Sequence, residues 1–216
     1  MIDDFSTLLP IIALSLAVSA SAALLATCVG IPLAAVLALA EFRGRRAGVI
    51  AVNALLGLPP VVVGLSLYLL LSRSGPLGAL GLLFTPGAMV LAQAILATPI
   101  IAALTHRVLE RNWADYQGPL RVFGATRLTA LPILLGMSRR AIATAVLAGF
   151  GRTISEVGAV LIVGGNIAGY TRSMTTSITL QTSMGNLGMA MALGFVLIGI
   201  SLSVSAGVIL LGGNRQ

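Results

Sequence analysis

Residues 11–40 run for thirty positions without one charged side chain. About 20 apolar residues carry a helix across the hydrocarbon of a bilayer, so this stretch is long enough to cross with tilt and to overhang. It commits the chain to a membrane before anything else is read. Mean hydropathy is +1.04, with 57% of residues hydrophobic and 9% charged. No water-soluble domain of 216 residues needs so much apolar surface. A protein lying on the lipid surface would need polar faces alternating with apolar ones, and those are missing. The expected fold is an all-α membrane protein, a single transmembrane domain over residues 1–216, with room for five or six spans.

After 11–40, spans are expected within 47–72, 88–105, 141–164 and 187–211, with a sixth if a broken span splits. Leu58-Pro59-Pro60 interrupts the second. Two prolines remove two amide donors and break the helical ladder, and inside a membrane such a break survives only where protein or a water-filled path covers it. Pro59 and Pro60 therefore read either as a kink beside a translocation path or as a packing kink. Gly30 and Pro32 are places for the first span to bend. Residues 73–87 have the glycines, prolines and serines of a loop, and a Ser/Thr-rich helix is expected between 165 and 186. His106, at the end of the third span, reads as an interfacial cap residue. Cys28 is the only cysteine, so no internal disulfide or zinc site can form. Asp3 and Asp4 stand where a cleavable signal peptide would carry positive charge, so none is expected.

All 13 basic residues are arginine and the net charge is +7. Positive charge raises nucleic acid as a partner, but these arginines sit between apolar runs, which is the pattern of membrane topology. Three fall in 41–46, six in 107–140, and Arg215 is in the tail. Those three segments alternate onto one side and collect ten arginines, against Arg73 and Arg172 opposite and Arg152 within a span. The positive-inside rule makes the ten-arginine side cytoplasmic and places the N-terminus outside. Residues 107–140 then form a cytoplasmic loop. Leu120, Val122, Phe123, Leu128 and Leu131 mark a short amphipathic helix within 118–137, with Arg121 and Arg127 exposed, that either lies on lipid or docks a partner.

Arg152 and Glu156 lie four apart within the fourth span, on one helical face. Charges at membrane depth are costly and either pair or face water. The pair therefore borders a substrate path or gate, or else it satisfies itself and locks helix packing. Thr153 and Ser155 offer hydrogen bonds at the same level, and Gly149, Gly151 and Gly158 permit close approach by another backbone. With one His, one Cys and one membrane Glu there is no convincing catalytic set. There is also no GxxxxGK[ST] phosphate-binding run. The chain is therefore expected not to be an enzyme and to hold no cofactor. Active transport would draw on a partner subunit or an ion gradient. An ion-coupled carrier is the rival from another class, although no clear internal repeat supports it.

Arg121-Val122-Phe123-Gly124-Ala125-Thr126-Arg127 resembles the cytoplasmic coupling-loop motif of ABC-importer permeases, with Gly124-Ala125 on the motif's glycine. Gly118-Pro119-Leu120 stands where Glu-Ala-Ala is usual, and Gly136-Met137 where Leu-Pro is usual. The run from Gly149 through Arg152-Thr153-Ile154-Ser155-Glu156-Val157-Gly158, then Gly164-Gly165-Asn166, is similar to the oxyanion branch of that family. With Gly169-Tyr170-Thr171-Arg172-Ser173-Met174, and with Leu58-Pro59-Pro60-Val61-Val62, it is closest to tungstate-type permeases. The resemblance implies a type I ABC-importer permease (MetI-like) fold in the cytoplasmic membrane of a prokaryote. It also implies two permease copies, two ATPase subunits that carry the ATP and Mg, and an external binding protein that delivers tungstate or a related oxyanion. Molybdate, sulfate or another cargo is the alternative. By the same resemblance Gly118, Leu120, Arg121, Phe123, Gly124, Ala125 and Arg127 would meet the ATPase. Arg152, Thr153, Ser155, Glu156, Pro59 and Pro60 would line the path or gate. Arg73, Asn166, Thr171 and Arg172 would meet the binding protein.

Overall fold

The computed structural model describes residues 3–212 and the side chains of residues 8–207. The side chains of Asp3 and Asp4 and the tail with Arg215, which carry part of the sidedness expectation, lie outside the described residues. Among the described residues the elements are all helical. They are α1 (Asp3–Leu39), α2 (Arg45–Ala54), α3 (Pro60–Leu71), α4 (Pro86–Val122), α5 (Arg127–Ile154), α6 (Gly158–Gly164), α7 (Met174–Ser183) and α8 (Leu187–Gly212).

Among the described residues four helices are long and apolar enough to cross a membrane: Leu8–Leu39, Pro86–Val122, Arg127–Ile154 and Leu187–Gly207. The bent pair Arg45–Gly57 and Pro60–Leu71, which turns by 101° at its break, makes a fifth if the two halves count as one span. That break is local chemistry. Leu58 (ψ 122°) and Pro59 (ψ 124°) are both extended, as residues preceding proline must be. Pro60 then starts α3 at a position where its missing amide costs no hydrogen bond.

The centre of the fold is α1 packed along α4, with α5 against both. Lipid tails are as apolar as leucine, so helices in a membrane associate through tight packing rather than hydrophobic driving force. The contact is accordingly built from small residues. Ala22, Ala26 and Ala34 on α1, and Ala92, Ala97 and Ala102 on α4, are all fully buried. A Cβ on Gly30 would sit 3.2 Å from both Ile101 Cβ and the Thr98 carbonyl, which marks the closest approach. Helix α1 stays helical through Pro10 and Pro32. A second apolar cluster joins α3, α4 and α6 through Leu67, Met89, Leu96, Val160 and Val163.

Three sequence expectations are corrected here. Residues 107–140 are not a loop with one short amphipathic helix. Helix α4 continues to Val122 and α5 begins at Arg127, so they form a helical hairpin with a tight turn at Phe123–Thr126. At 37 residues α4 is about 55 Å long, well beyond the ~30 Å hydrocarbon thickness. The polar stretch stays helical because it has something to pack on. Leu109, Trp113, Ala130 and Leu134 are buried against Ala38 and Leu39 of α1. Thr126 closes the start of α5 with a reciprocal capping box to Thr129.

The fourth span, expected as one helix over 141–164, is likewise broken. It ends at Ile154 and resumes at Gly158 as the short α6. Ser155 Oγ folds back to the Gly151 carbonyl at 2.8 Å, and such back-bonding competes with the helical ladder. His106, expected as a cap at a span's end, lies mid-helix in α4 and is 4% exposed.

Candidate functional site

The two breaks meet. A Cβ on Gly64 of α3 would lie 2.8 Å from the Ala159 Cα of α6, and one on Gly158 would lie 3.1 Å from Val61 Cγ2. Glycine at both positions lets the restarted halves touch backbone to backbone, which brings Pro59-Pro60 and Arg152–Glu156 into one neighbourhood.

Glu156 holds this junction together. Its side chain is 2% exposed. Oε2 accepts from Arg152 Nη1 at 2.9 Å, while Oε1 accepts from the Ala159 amide at 3.1 Å, so both oxygens are occupied. The Glu156 carbonyl accepts from Thr175 Oγ1 of α7 at 2.9 Å. One residue therefore ties the end of α5, the first turn of α6 and the start of α7. Arg152 is 33% exposed, so the pair is asymmetric: its carboxylate is sealed and its guanidinium reaches the surface.

The other expected path residues separate by depth. Thr153 is buried and donates to the Phe150 carbonyl at 2.8 Å, with the Ser19 carbonyl of α1 at 3.3 Å. Its hydroxyl is spent between α5 and α1. Ser155 and Pro59 are exposed, and Pro60 is half-buried. Past the junction, α7 presents Thr179, Thr182 and Ser183 on its exposed side. Their hydroxyls donate back to the carbonyls of Thr175, Ile178 and Thr179.

Sequence reasoning missed a polar cluster behind this surface. Ser15 Oγ of α1 accepts from the Met174 amide at 2.7 Å, and Ser173 caps α7 through Thr176. Gln93 of α4 is 5% exposed, and its Oε1 has no partner among the described residues. A cavity of about 10 Å³ lies between Ser15, Ser19, Gln93, Ser173 and Thr175. The one available signal was a lone glutamine inside an apolar run, where polar groups are expensive.

At the turn of the α4–α5 hairpin, Val122, Phe123 and Leu128 are 84%, 88% and 80% exposed. Gly124 adopts φ +75°, which makes the tight turn available without strain. Gly118 is exposed, while Ala125 and Leu120 are half-buried, with Leu120 on the hairpin core. Arg121 lies 5.8 Å from the Trp113 ring centre and Arg127 lies 5.4 Å from it. Arg127 also donates to the Leu39 carbonyl at 3.1 Å and pairs with Glu41. Arg127 was expected to be exposed for a partner; instead it ties the hairpin to the end of α1.

Arg73 and the segment holding Asn166 reach one region through Phe84. The Phe84 amide donates to the Val163 carbonyl at 2.8 Å, and its ring packs on Gly165. Arg73, Tyr68 and Phe84 border a cleft of about 560 Å³ there. Thr171, expected at a docking surface, is fully buried. It donates to the Gly164 carbonyl at 2.5 Å and accepts from the Ile167 amide at 2.9 Å, so it closes a turn. Arg172 is half-buried, with Nη2 3.5 Å from the Asn166 carbonyl.

No family model matches the chain. Individual relatives do. The probable anion ABC transporter permease protein of Haloferax volcanii is 40% identical, over 94% of this chain and 90% of its own length. The tungstate uptake system permease protein TupB of Peptoclostridium acidaminophilum is 41% identical, over 91% of this chain and 86% of its own. The molybdenum transport system permease protein ModB of Mycobacterium bovis is 31% identical, over 90% and 76%. Identity at this level along nearly the whole chain, on an all-helical fold with four or five crossings, shows that this multi-pass membrane protein belongs to the anion permease family of ABC transporters.

Proposed function

We propose that this chain is the translocating subunit of an importer for tungstate or a closely related tetrahedral oxyanion. Two copies would form the path, and separate ATPase subunits would drive it. The observation that carries this reading is the 41% identity to a tungstate uptake permease across 91% of the chain, joined to a hairpin tip whose apolar side chains are exposed among the described residues. Molybdenum permeases match at 31%, which makes molybdate the second cargo to consider.

The geometry supports a division of labour. The α4–α5 tip, with Val122, Phe123 and Leu128 facing outward, is the surface for the ATPase. The arginine bias puts that tip in the cytoplasm. Motion at the tip would pass along α5, one continuous helix of 28 residues, to the Arg152–Glu156 junction at its far end. A divalent oxyanion needs hydrogen-bond donors but must also leave. The exposed hydroxyls of Ser155, Thr179, Thr182 and Ser183 can rotate from their own carbonyls toward a passing anion, and they add no fixed charge that would hold it. Arg152, 33% exposed, is the cation at the junction itself. Arg73 and Asn166 border the opposite mouth, where an external binding protein would deliver cargo.

The test is uptake of labelled tungstate by cells or vesicles holding this chain with its ATPase and binding protein, in competition with molybdate and sulfate. ATP-dependent accumulation suppressed by tungstate, and less by sulfate, is expected. Accumulation without ATPase, driven by an ion gradient, would overturn the importer reading.

A further inference from the structure

Beside the end of α1 lies a cavity of about 410 Å³ that plays no part in the reading above. Arg45, Arg46, Val49, Ile50, His106 and Glu110 line it. Its lining divides into an apolar wall and a charged end. Ile50 is 69% exposed, and Val49 beside it is half-buried against Leu37, Ala102 and Ala103; together they form the apolar wall. The charged end is unevenly balanced. Arg45 is already engaged: Nε donates to the Leu37 carbonyl at 2.6 Å, and Nη2 pairs with Glu110 Oε1 at 2.5 Å. That pair cancels Glu110. Arg46 is exposed and has no hydrogen bond or ion pair among the described residues, so its charge is uncompensated.

The second observation is His106. The residue is 4% exposed, and Nε2 has no hydrogen-bond partner among the described residues. Glu110 Oε2, the nearest carboxylate oxygen, is 3.9 Å away, beyond hydrogen-bond reach. A buried polar atom left unmatched is unfavourable, so a group seated in the cavity that hydrogen-bonds Nε2 would be favoured.

From this arrangement we infer a binding site for one anionic phospholipid. The phosphate sits between Arg46 and His106, which donates from Nε2, and an acyl chain lies along Val49 and Ile50. A lipid fits better than a free phosphate because the cavity joins its cationic end to an exposed apolar wall at the edge of a membrane span. A basic pocket between membrane helices, at the depth of the headgroups, is the general form of such sites. The inference does not depend on cargo, ATPase or sidedness, and its test reads none of them.

The test is native mass spectrometry of the full-length chain in detergent, titrated with phosphatidylglycerol or with phosphatidylcholine of identical acyl chains. Preferential retention of one phosphatidylglycerol is expected. Arg46→Gln, at an exposed position that leaves the fold intact, should weaken that preference about fivefold. His106→Leu should weaken it too, whereas His106→Gln, which keeps a donor, should largely retain it. Equal retention of both lipids by the unaltered chain, or an unchanged preference in Arg46→Gln combined with His106→Leu, overturns the site. Saturation by inorganic phosphate alone, with displacement of phosphatidylglycerol, overturns the lipid in favour of a soluble phosphate.

Discussion

Removing either member of the Arg152–Glu156 pair should have unequal consequences, because the two partners sit at different depths. Glu156 is 2% exposed and Arg152 33%. Arg152→Gln strands a buried carboxylate, the situation that costs about 3–5 kcal/mol. Glu156→Gln leaves a guanidinium that can turn to solvent and keeps an acceptor for the Ala159 amide. Thermal unfolding of the purified chain should therefore show Arg152→Gln as the more damaging variant by several degrees; the reverse order would mean that the carboxylate is wetter than described. Glu156→Gln should remain folded yet lose uptake if the junction also gates. The pairing was legible in the sequence, because spacing of four and the expense of charge in lipid point to it. The break beneath it was not. A 3.6-residue period continues smoothly through Ser155 and Val157, and only the side chains of Ser155 and Glu156, by bonding backbone, end one helix and begin the next. Thr153 and Thr171 show the same limit: a hydroxyl in a polar motif reads as a site, and only packing reveals that it is spent internally.

At the scale of elements, the contact between α3 and α6 rests on the absence of a methyl group. A Cβ on Gly64 would meet Ala159 Cα at 2.8 Å, and backbone cannot step aside as a flexible side chain can. Gly64→Ala should destabilise by about 1–3 kcal/mol and loosen the junction. Gly136→Ala, in the middle of α5 with nothing near its Cβ, should be neutral or stabilising by up to ~1 kcal/mol. Comparing the two melting temperatures separates a packing requirement from a general glycine effect, and equal shifts would refute it. Both glycines look alike in sequence. The broken second span was readable from Pro59-Pro60, since proline chemistry is local. The hairpin was not, because arginines mark where a chain leaves the bilayer and say nothing of whether the helix stops there. Leu109, Trp113 and Leu134 keep α4 and α5 helical by burying one another. That is a tertiary cause, invisible to a residue-by-residue reading.

For the molecule as a whole, helices longer than the bilayer place the two proposed working surfaces at opposite ends of α5. The tip carries Phe123, 88% exposed, and the junction carries Glu156, 2% exposed in its side chain. A side chain so exposed contributes almost nothing to the isolated fold, and an aromatic residue in that condition is the kind that dominates binding to a partner. Phe123→Ala should therefore leave the melting temperature of the chain unchanged, since exposed substitutions fall within about ±0.5 kcal/mol. The same variant should weaken recovery of the ATPase on co-purification at least tenfold, the effect of removing an interface residue worth ~2 kcal/mol. Arg127→Ala should behave differently. It unfastens the hairpin from Glu41 and Leu39, so it should lower both stability and ATPase recovery. Fixing the two effects on separate residues of one turn distinguishes a surface made for a partner from a strut that merely holds it. Full ATPase recovery with Phe123→Ala, beside an unchanged fold, would move the docking surface away from this tip.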